Sequence, residues 1–374
     1  MSGAIYARFG VKRCINAAGP VTRLGGAPMA PEVLAAMADA AGASVDMAEL
    51  QAAAGRAIAS ATGAASGMVT SGAAAALTLA AAACLAGGDK ARMARLPDAR
   101  GMPNRVLMPR THRTQYARAL SAAGAVLVDI GHNDRGTGAG VRGLEAWEIE
   151  AAIDAETVAF AFTATPETAP DLPRVAEICR RHRLPVIVDA AARLPPRSNL
   201  RAYLAAGADL VAFSGGKAIG GPQASGILAG RADLIESALM QQLDMDFREA
   251  GVARPHHGIG RGFKAGKEEI VGLLVALERF AAGDDAAAEG ALVARLESIA
   301  RRVPGRIVRT ARTPMLELNV ANADATIGRL AAGDPPIHLG EGRAAEGVLT
   351  VDLSAVRVED DARLVEGLAK ALKP

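Results

Sequence analysis

Aromatic side chains are scarce in this chain, at 3% of its residues, and it has a single tryptophan. Proteins that hold single-stranded nucleic acid use aromatic stacking platforms along a basic groove, and duplex binders need an excess of cations to meet phosphates. Here 42 basic residues stand against 40 acidic ones, for a formal net charge of +2, so no nucleic-acid partner is expected. Cysteine is sparse as well. Cys14, Cys84 and Cys179 are odd in number and far apart, which excludes a disulfide framework and suits a reducing compartment. Long apolar runs are also missing: Ala73 to Gly87 is mostly alanine, includes Thr78 and Cys84, and falls short of the roughly 20 residues a bilayer demands. Arg8, Lys12 and Arg13 break up the N-terminus, so it lacks the apolar core of a signal peptide. These absences predict a cytoplasmic protein with no membrane partner.

What is present is an alternation. The 374 residues allow about two to three domain-sized units and a sizeable core. Seven short apolar runs read as strands: Gly67–Ser71, Arg105–Met108, Ala125–Ile130, Thr157–Thr163, Pro185–Asp189, Asp209–Ser214 and Ser225–Ala229. Helical stretches such as Thr114–Ala123, Leu144–Ile153, Arg174–His182 and Leu200–Ala205 separate most of them. That order predicts an α/β fold with a mainly parallel sheet covered on both faces, since the strands are continuously apolar. The link from Ser214 to Ser225 is too short for a helical crossover, so the last strand should run antiparallel. Pro31–Ala41 and Asp46–Ala61 read as helices ahead of the sheet, and Arg231–Gln242 and Lys267–Ala282 as helices after it. Strand-like Pro314–Val320 and Gly347–Leu353 and the helical Asp361–Leu372 close the chain. The expected division is an N-terminal arm with helices over 1–60, a large domain over 61–230 and a smaller α+β C-terminal domain over 231–374. No repeat of solenoid period is present.

Asp189 ends one apolar strand, and Lys217 follows the next in Phe213-Ser-Gly-Gly-Lys. Strands of a parallel sheet open at their C-terminal ends onto the crevice where ligands bind. Adjacent strands would thus bring a carboxylate and an amine to one cleft. Either residue alone is ordinary, a strand-end cap or a loop lysine. Together they meet the needs of pyridoxal 5′-phosphate (PLP): a lysine that holds the aldehyde as a Schiff base and a carboxylate that keeps the pyridine nitrogen protonated. Val69-Thr-Ser-Gly-Ala-Ala-Ala-Ala-Leu turns from a strand into a helix. A helix N-terminus offers unpaired N–H groups and a positive dipole to a phosphate. Ser71, Gly72 and Ala73 are the candidate phosphate ligands, with the Ser214 hydroxyl beside them. His112, after the second strand, is a candidate to stack on the pyridine ring.

Other motifs carry less. Gly138-Ala-Gly-Val-Arg-Gly143 fits a dinucleotide fingerprint in letters but begins well after the strand ending at Ile130, outside the tight strand–turn–helix setting that motif needs. Ser214-Gly-Gly-Lys217-Ala lacks the leading glycine and the following Ser/Thr of a P-loop. His256, His257 and His338 have no metal-like spacing to acidic or cysteine partners, so no metal is expected. The basic stretch Arg254 to Lys267 is either a solvated loop or an anion site, with Arg261, Lys264 and Lys267 as candidate substrate ligands. Arg23, in Asn16-Ala-Ala-Gly-Pro-Val-Thr-Arg23, is a similar candidate to clamp a carboxylate.

With those residues in hand, the chain resembles the selenocysteine synthase-like (L-seryl-tRNA(Sec) selenium transferase-related) branch of the aspartate aminotransferase-like, type I PLP fold. The matching stretches are Ile15-Asn-Ala-Ala-Gly, Thr70-Ser-Gly-Ala-Ala-Ala-Ala, Val188-Asp-Ala-Ala, Ser214-Gly-Gly-Lys and Gly220-Gly-Pro-Gln. The likeness is greater to the small members, the D-glucosaminate-6-phosphate ammonia lyases, than to the selenium transferase. The transferase carries an additional N-terminal tRNA-recognition domain that this chain is too short to hold, and Arg23-Leu-Gly-Gly26 stands where its pattern continues Asn-Leu-Gly-Arg. The resemblance implies a seven-stranded large domain, a small C-terminal domain, and active sites at the interface of a homodimer or larger homo-oligomer. It also implies Lys217 as the Schiff-base lysine and Asp189 as the partner of the pyridine nitrogen. The expected activity is a PLP-dependent lyase that removes water and ammonia from a hydroxylated amino acid, phosphorylated or not, such as D-glucosaminate 6-phosphate. An amino-acid racemase, a selenium transferase-like β-replacement enzyme and a PLP-binding regulator are the alternatives.

Overall fold

The computed structural model describes residues 4–132, 144–243 and 258–373. Its contacts divide the chain into two compact units, one of residues 30–281 and one of residues 1–29 with 282–374. This differs from the boundaries expected at 60 and 230. The helices Ala232–Gln242 and Lys267–Ala281 belong to the larger unit, where they pack on Ala73–Ala86 and Pro31–Ala41 respectively. The first strand of the chain joins the smaller unit because it pairs with a strand near the other end.

Strands β1 to β12, numbered in chain order, form two sheets among the described residues. In the smaller unit, β1 (Ile15–Ala17), β9 (Arg306–Val308), β10 (Met315–Asn319), β11 (Ile337–Arg343) and β12 (Val348–Val351) lie in the order β1-β11-β12-β10-β9. Here β1 is parallel to β11 and the other pairs are antiparallel. Leu296, Leu316, Leu349 and Leu364 are among the fully buried side chains of this unit's core.

The larger unit holds β2 (Ser66–Thr70), β3 (Arg105–Pro109), β4 (Val126–Ile130), β5 (Thr157–Thr163), β6 (Val186–Asp189), β7 (Leu210–Ser214) and β8 (Gly226–Gly230). Their order is β2-β8-β7-β6-β5-β3-β4. All neighbours are parallel except at β8, which runs against both β7 and β2. The short Ser214-to-Ser225 link leaves room for nothing else. The helix Ala73–Ala86 packs against several strands of this sheet, and Ala75 to Ala83 are all buried along it. A helix that is apolar all round belongs in a core, and its alanines let the backbone lie close to the sheet. Its N-terminus, at Ala73, therefore starts from the end of β2 with the whole helix dipole behind it.

Candidate active site

Each cofactor candidate in the larger unit sits where a strand finishes. Register places Thr70, Gly226 and Ser214 in one row across β2, β8 and β7. It places Thr163, Asp189 and Ala212 in another across β5, β6 and β7. Lys217 follows in the turn after Ser214, and His112 ends a short 3₁₀ turn, Arg110–His112, directly after β3. The C-terminal ends of five strands thus deliver Ser71, His112, Thr163, Asp189 and Lys217 to one side of the sheet.

The phosphate candidates have the backbone shape that role needs. Gly72 caps the alanine helix with φ at 134°, and a Cβ there would meet nothing within 4 Å. Residues that bear side chains rarely adopt that conformation. From below, β8 presses against this turn: a Cβ on Gly226 would lie 2.4 Å from the Gly72 carbonyl carbon and 2.6 Å from the Ala73 nitrogen. The turn is open above and held from beneath. One detail departs from expectation, because the Ser71 N–H donates to the Phe263 carbonyl at 3.3 Å. Ser71 is left with its hydroxyl, and the N–H groups of Gly72 and Ala73 remain at the open helix end.

That bond exposes a frame the sequence did not disclose. Gln51 pairs with Val69 in both directions, its Nε2 donating to the Val69 carbonyl at 2.9 Å and its Oε1 accepting from the Val69 N–H at 3.1 Å. Gln242 Nε2 donates to the carbonyls of Val69 at 3.1 Å and Phe263 at 3.0 Å. Two buried amides thereby replace a neighbouring strand on the outer edge of β2. No local pattern marks a glutamine in mid-helix for this task. The frame also has a functional consequence, since Phe263 lies between Arg261 and Lys264 in the 3₁₀ turn Ile259–Phe263 and the residue after it. The basic segment is thus attached to the Ser71 turn. Lys264 is exposed and Arg261 half-buried.

Lys267 is occupied elsewhere. Its Nζ donates to the carbonyls of Ala40 at 2.7 Å and Ala41 at 3.0 Å and to Glu268 Oε1 at 2.8 Å. Three bonds use all three ammonium hydrogens, so the structure makes Lys267 a cap on the end of helix Pro31–Ala41 and not an anion ligand. Arg23 lies in the smaller unit, where its Nη2 donates to Glu341 Oε1 at 3.1 Å. The Gly138–Gly143 motif and Arg254, His256 and His257 lie outside the described residues. Among those described, no group of three His, Cys, Asp or Glu side chains could hold a metal.

Asp189 and His112 are both desolvated, with opposite consequences. Burial raises the Asp189 carboxyl above its ordinary value, while the Ala191 N–H at 3.0 Å, Lys217 and Arg193 work in the other direction. A cation against this carboxylate would therefore be bound strongly. His112 is 7% exposed, and burial lowers its pKa from 6.5 to about 4. It is a neutral ring at physiological pH. Its edge meets the Phe162 ring, with centroids 4.6 Å apart and planes at 85°. Arg193, in the turn after β6, is a cation that sequence reading passed over; its charge acts on both Asp189 and Glu167.

These residues fit PLP on chemical grounds: an amine, a desolvated carboxylate, a flat neutral ring and an open helix N-terminus, all at one set of strand ends. The fold and this set define a PLP enzyme of the aspartate aminotransferase type. Comparison with known proteins narrows the class. The family described as L-seryl-tRNA selenium transferase matches residues 174–250. The D-glucosaminate-6-phosphate ammonia lyase of Salmonella typhimurium is 31% identical over 98% of each chain. A 5′-C-glycyluridine monooxygenase-decarboxylase from a Streptomyces species is 32% identical over 98% of this chain and 92% of its own. A solved structure of D-glucosaminate-6-phosphate ammonia-lyase superposes with a TM-score of 0.84 at 30% identity, covering 100% of this chain and 99% of that one. The cysteine desulfurase of Escherichia coli, at 18% identity and a TM-score of 0.57 over 96% of this chain and 95% of that one, shares the fold. The chain belongs to the selenocysteine synthase-like family of PLP-dependent enzymes, within its ammonia lyase-like group.

Proposed function

We propose that this enzyme is an ammonia lyase that converts a 2-amino-3-hydroxy acid to a 2-keto acid, with D-glucosaminate 6-phosphate as the first substrate to try. The observation that carries the reading is the attachment of the basic segment to the cofactor turn. The Phe263 carbonyl on the Ser71 N–H ties the segment that carries Arg261 and Lys264 to the end of β2, and cations there would suit an anionic sugar acid. The full-length likeness to the Salmonella lyase supports the same substrate class.

Ser71, Gly72, Ala73 and Ser214 would hold the cofactor phosphate, and Asp189 a proton on the ring nitrogen. His112 would cover the ring face. Bound in this way, PLP supplies an electron sink conjugated to the substrate's α-carbon. Lys217 Nζ would bond the cofactor aldehyde at rest and, once displaced by the substrate amine, take the proton from Cα. Lys217 would pass that proton to the β-hydroxyl, which would leave as water, and the enamine product would add water and expel ammonia. Net, the amino acid loses ammonia and nothing is oxidised or reduced. We read the active form as a homodimer or larger homo-oligomer acting on a small amino-acid substrate in the cytoplasm. No helix among the described residues is long and apolar enough to cross a membrane.

A second reading has its own support, because the Streptomyces monooxygenase-decarboxylase is as similar as the lyase. That chemistry consumes dioxygen and releases carbon dioxide. Purified enzyme supplied with PLP should release ammonia and a 2-keto acid in equal amounts from D-glucosaminate 6-phosphate or a related hydroxy amino acid, without oxygen uptake. Oxygen consumption with carbon dioxide release on a glycyl nucleoside would replace the lyase reading. Exchange of the Cα proton with racemisation and no ammonia would indicate a racemase.

A further inference from the structure

We propose that Thr163 is a positioning residue that fixes His112 as the tautomer with its hydrogen on Nε2, so that the ring meets the crevice as an N–H donor and not as a base. The β3–β5 ladder pairs Leu107 with Phe160 and records no pair beyond it. Past that point, groups on β5 must find other partners. Thr163 finds them in His112. Its backbone N–H donates to His112 Nδ1 at 3.4 Å, and its Oγ1 donates to the His112 carbonyl at 2.9 Å. An imidazole nitrogen that accepts a hydrogen bond carries no hydrogen, so in the neutral ring the hydrogen sits on the other nitrogen.

The residue is itself held on its remaining sides. The Thr168 hydroxyl donates to the Thr163 carbonyl at 2.8 Å. Across the sheet, Thr163 is the register partner of Asp189, and the next residue, Ala164, donates its N–H to the Asp189 carbonyl at 3.0 Å. One threonine at the end of β5 thus ties the candidate ring-stacking histidine to the strand that carries the candidate pyridine partner. The Phe162 ring, set at 85° to the imidazole, limits its tilt, and burial of the imidazole agrees with a neutral state.

The chemical consequence follows from the tautomer. A ring with Nδ1 engaged and Nε2 protonated cannot take a proton from substrate without first losing its hydrogen, which leaves Lys217 as the base and gives His112 a donor for an oxygen atom of the substrate or cofactor. This consequence rests on the lyase reading above; the tautomer does not.

The test separates the two. Full-length protein loaded with PLP and labelled with ¹⁵N-histidine would be examined by NMR, with the His112 signals assigned by their loss in His112→Gln. The expected spectrum shows an unprotonated Nδ1 and a protonated Nε2 from about pH 8 down to about pH 5. Thr163→Val keeps the backbone N–H on Nδ1 and removes only the hydroxyl that holds the His112 carbonyl. Without that second bond the ring should move relative to the N–H, broadening its signals toward mixed tautomers and lowering kcat/KM about tenfold, while Thr163→Ser should restore both to within about threefold. Hydrogen on Nδ1, or protonation near the ordinary histidine value, would overturn the proposal. So would Thr163→Val with an unaltered spectrum and unaltered kcat/KM. Should no substrate of the panel turn over, the lyase reading fails and the spectra alone decide the tautomer.

Discussion

The two ends of the seven-stranded sheet have opposite designs. At the N-terminal ends lies a cavity of about 630 Å³ lined by Arg180, Arg183, Asp209 and Arg231, among others. Arg231 there is paired in view of solvent, meeting Asp233 at 2.6 Å and Asp209 at 3.3 Å with nearly half of its side chain exposed. At the C-terminal ends Asp189 and His112 are both shifted by burial. Screened ion pairs on a surface contribute little and do little chemistry. A desolvated carboxylate and a neutral imidazole respond strongly to any charge placed against them. The hollow at the N-terminal ends is thus not the better candidate. What distinguishes the active end is the cost of keeping its polar groups out of water.

Substitutions at the two ends should separate accordingly. Asp189→Asn should give the largest effect, retaining PLP while turnover falls by at least about a hundredfold, since an amide cannot stabilise a protonated pyridine nitrogen. Steady-state kinetics at saturating PLP would measure this, and undiminished turnover would remove Asp189 from the site. Ser71→Ala should act on binding. One hydrogen bond to an anion is worth about 1.5–3 kcal/mol, so the PLP dissociation constant should rise about tenfold to a hundredfold. Unchanged affinity in an absorbance titration would make Ser71 a helix cap and nothing more. The smallest effect belongs to the opposite end, where Arg231→Ala should cost less than about 1 kcal/mol in a urea melt and leave PLP affinity untouched. A large loss of cofactor binding there would erase the contrast.

The same contrast governs what could be read from sequence. The seven strands of the large sheet were legible within a residue or two at each end. In the interior strands burial on both faces leaves continuous apolar runs such as Val186-Ile-Val and Leu210-Val-Ala-Phe, whereas the edge strand β4 is apolar but only partly buried. The antiparallel β8 followed from the length of one loop. In the smaller unit, β1, β9 and β11 were not recognised. Ile15-Asn-Ala owes its place to pairing with Ile337–Leu339 far along the chain, and no local pattern encodes a partner at that distance. The site divides similarly. Asp189, Lys217 and the Ser71–Ala73 turn are local motifs at strand ends, whereas Gln51, Gln242 and Thr163 act through bonds to distant backbone. Lys267 shows the converse error: it looked like an anion ligand because it follows a run of basic residues, yet the structure uses it to cap a helix.

The central claim is that the amine beyond β7 holds the cofactor. Purified protein loaded with PLP would be reduced with borohydride, digested, and its peptides mapped by mass spectrometry. The cofactor should be fixed on the peptide containing Lys217, and Lys217→Ala should abolish both the fixation and turnover. Labelling of a different lysine, or a yellow, borohydride-reducible and active Lys217→Ala, would contradict the account.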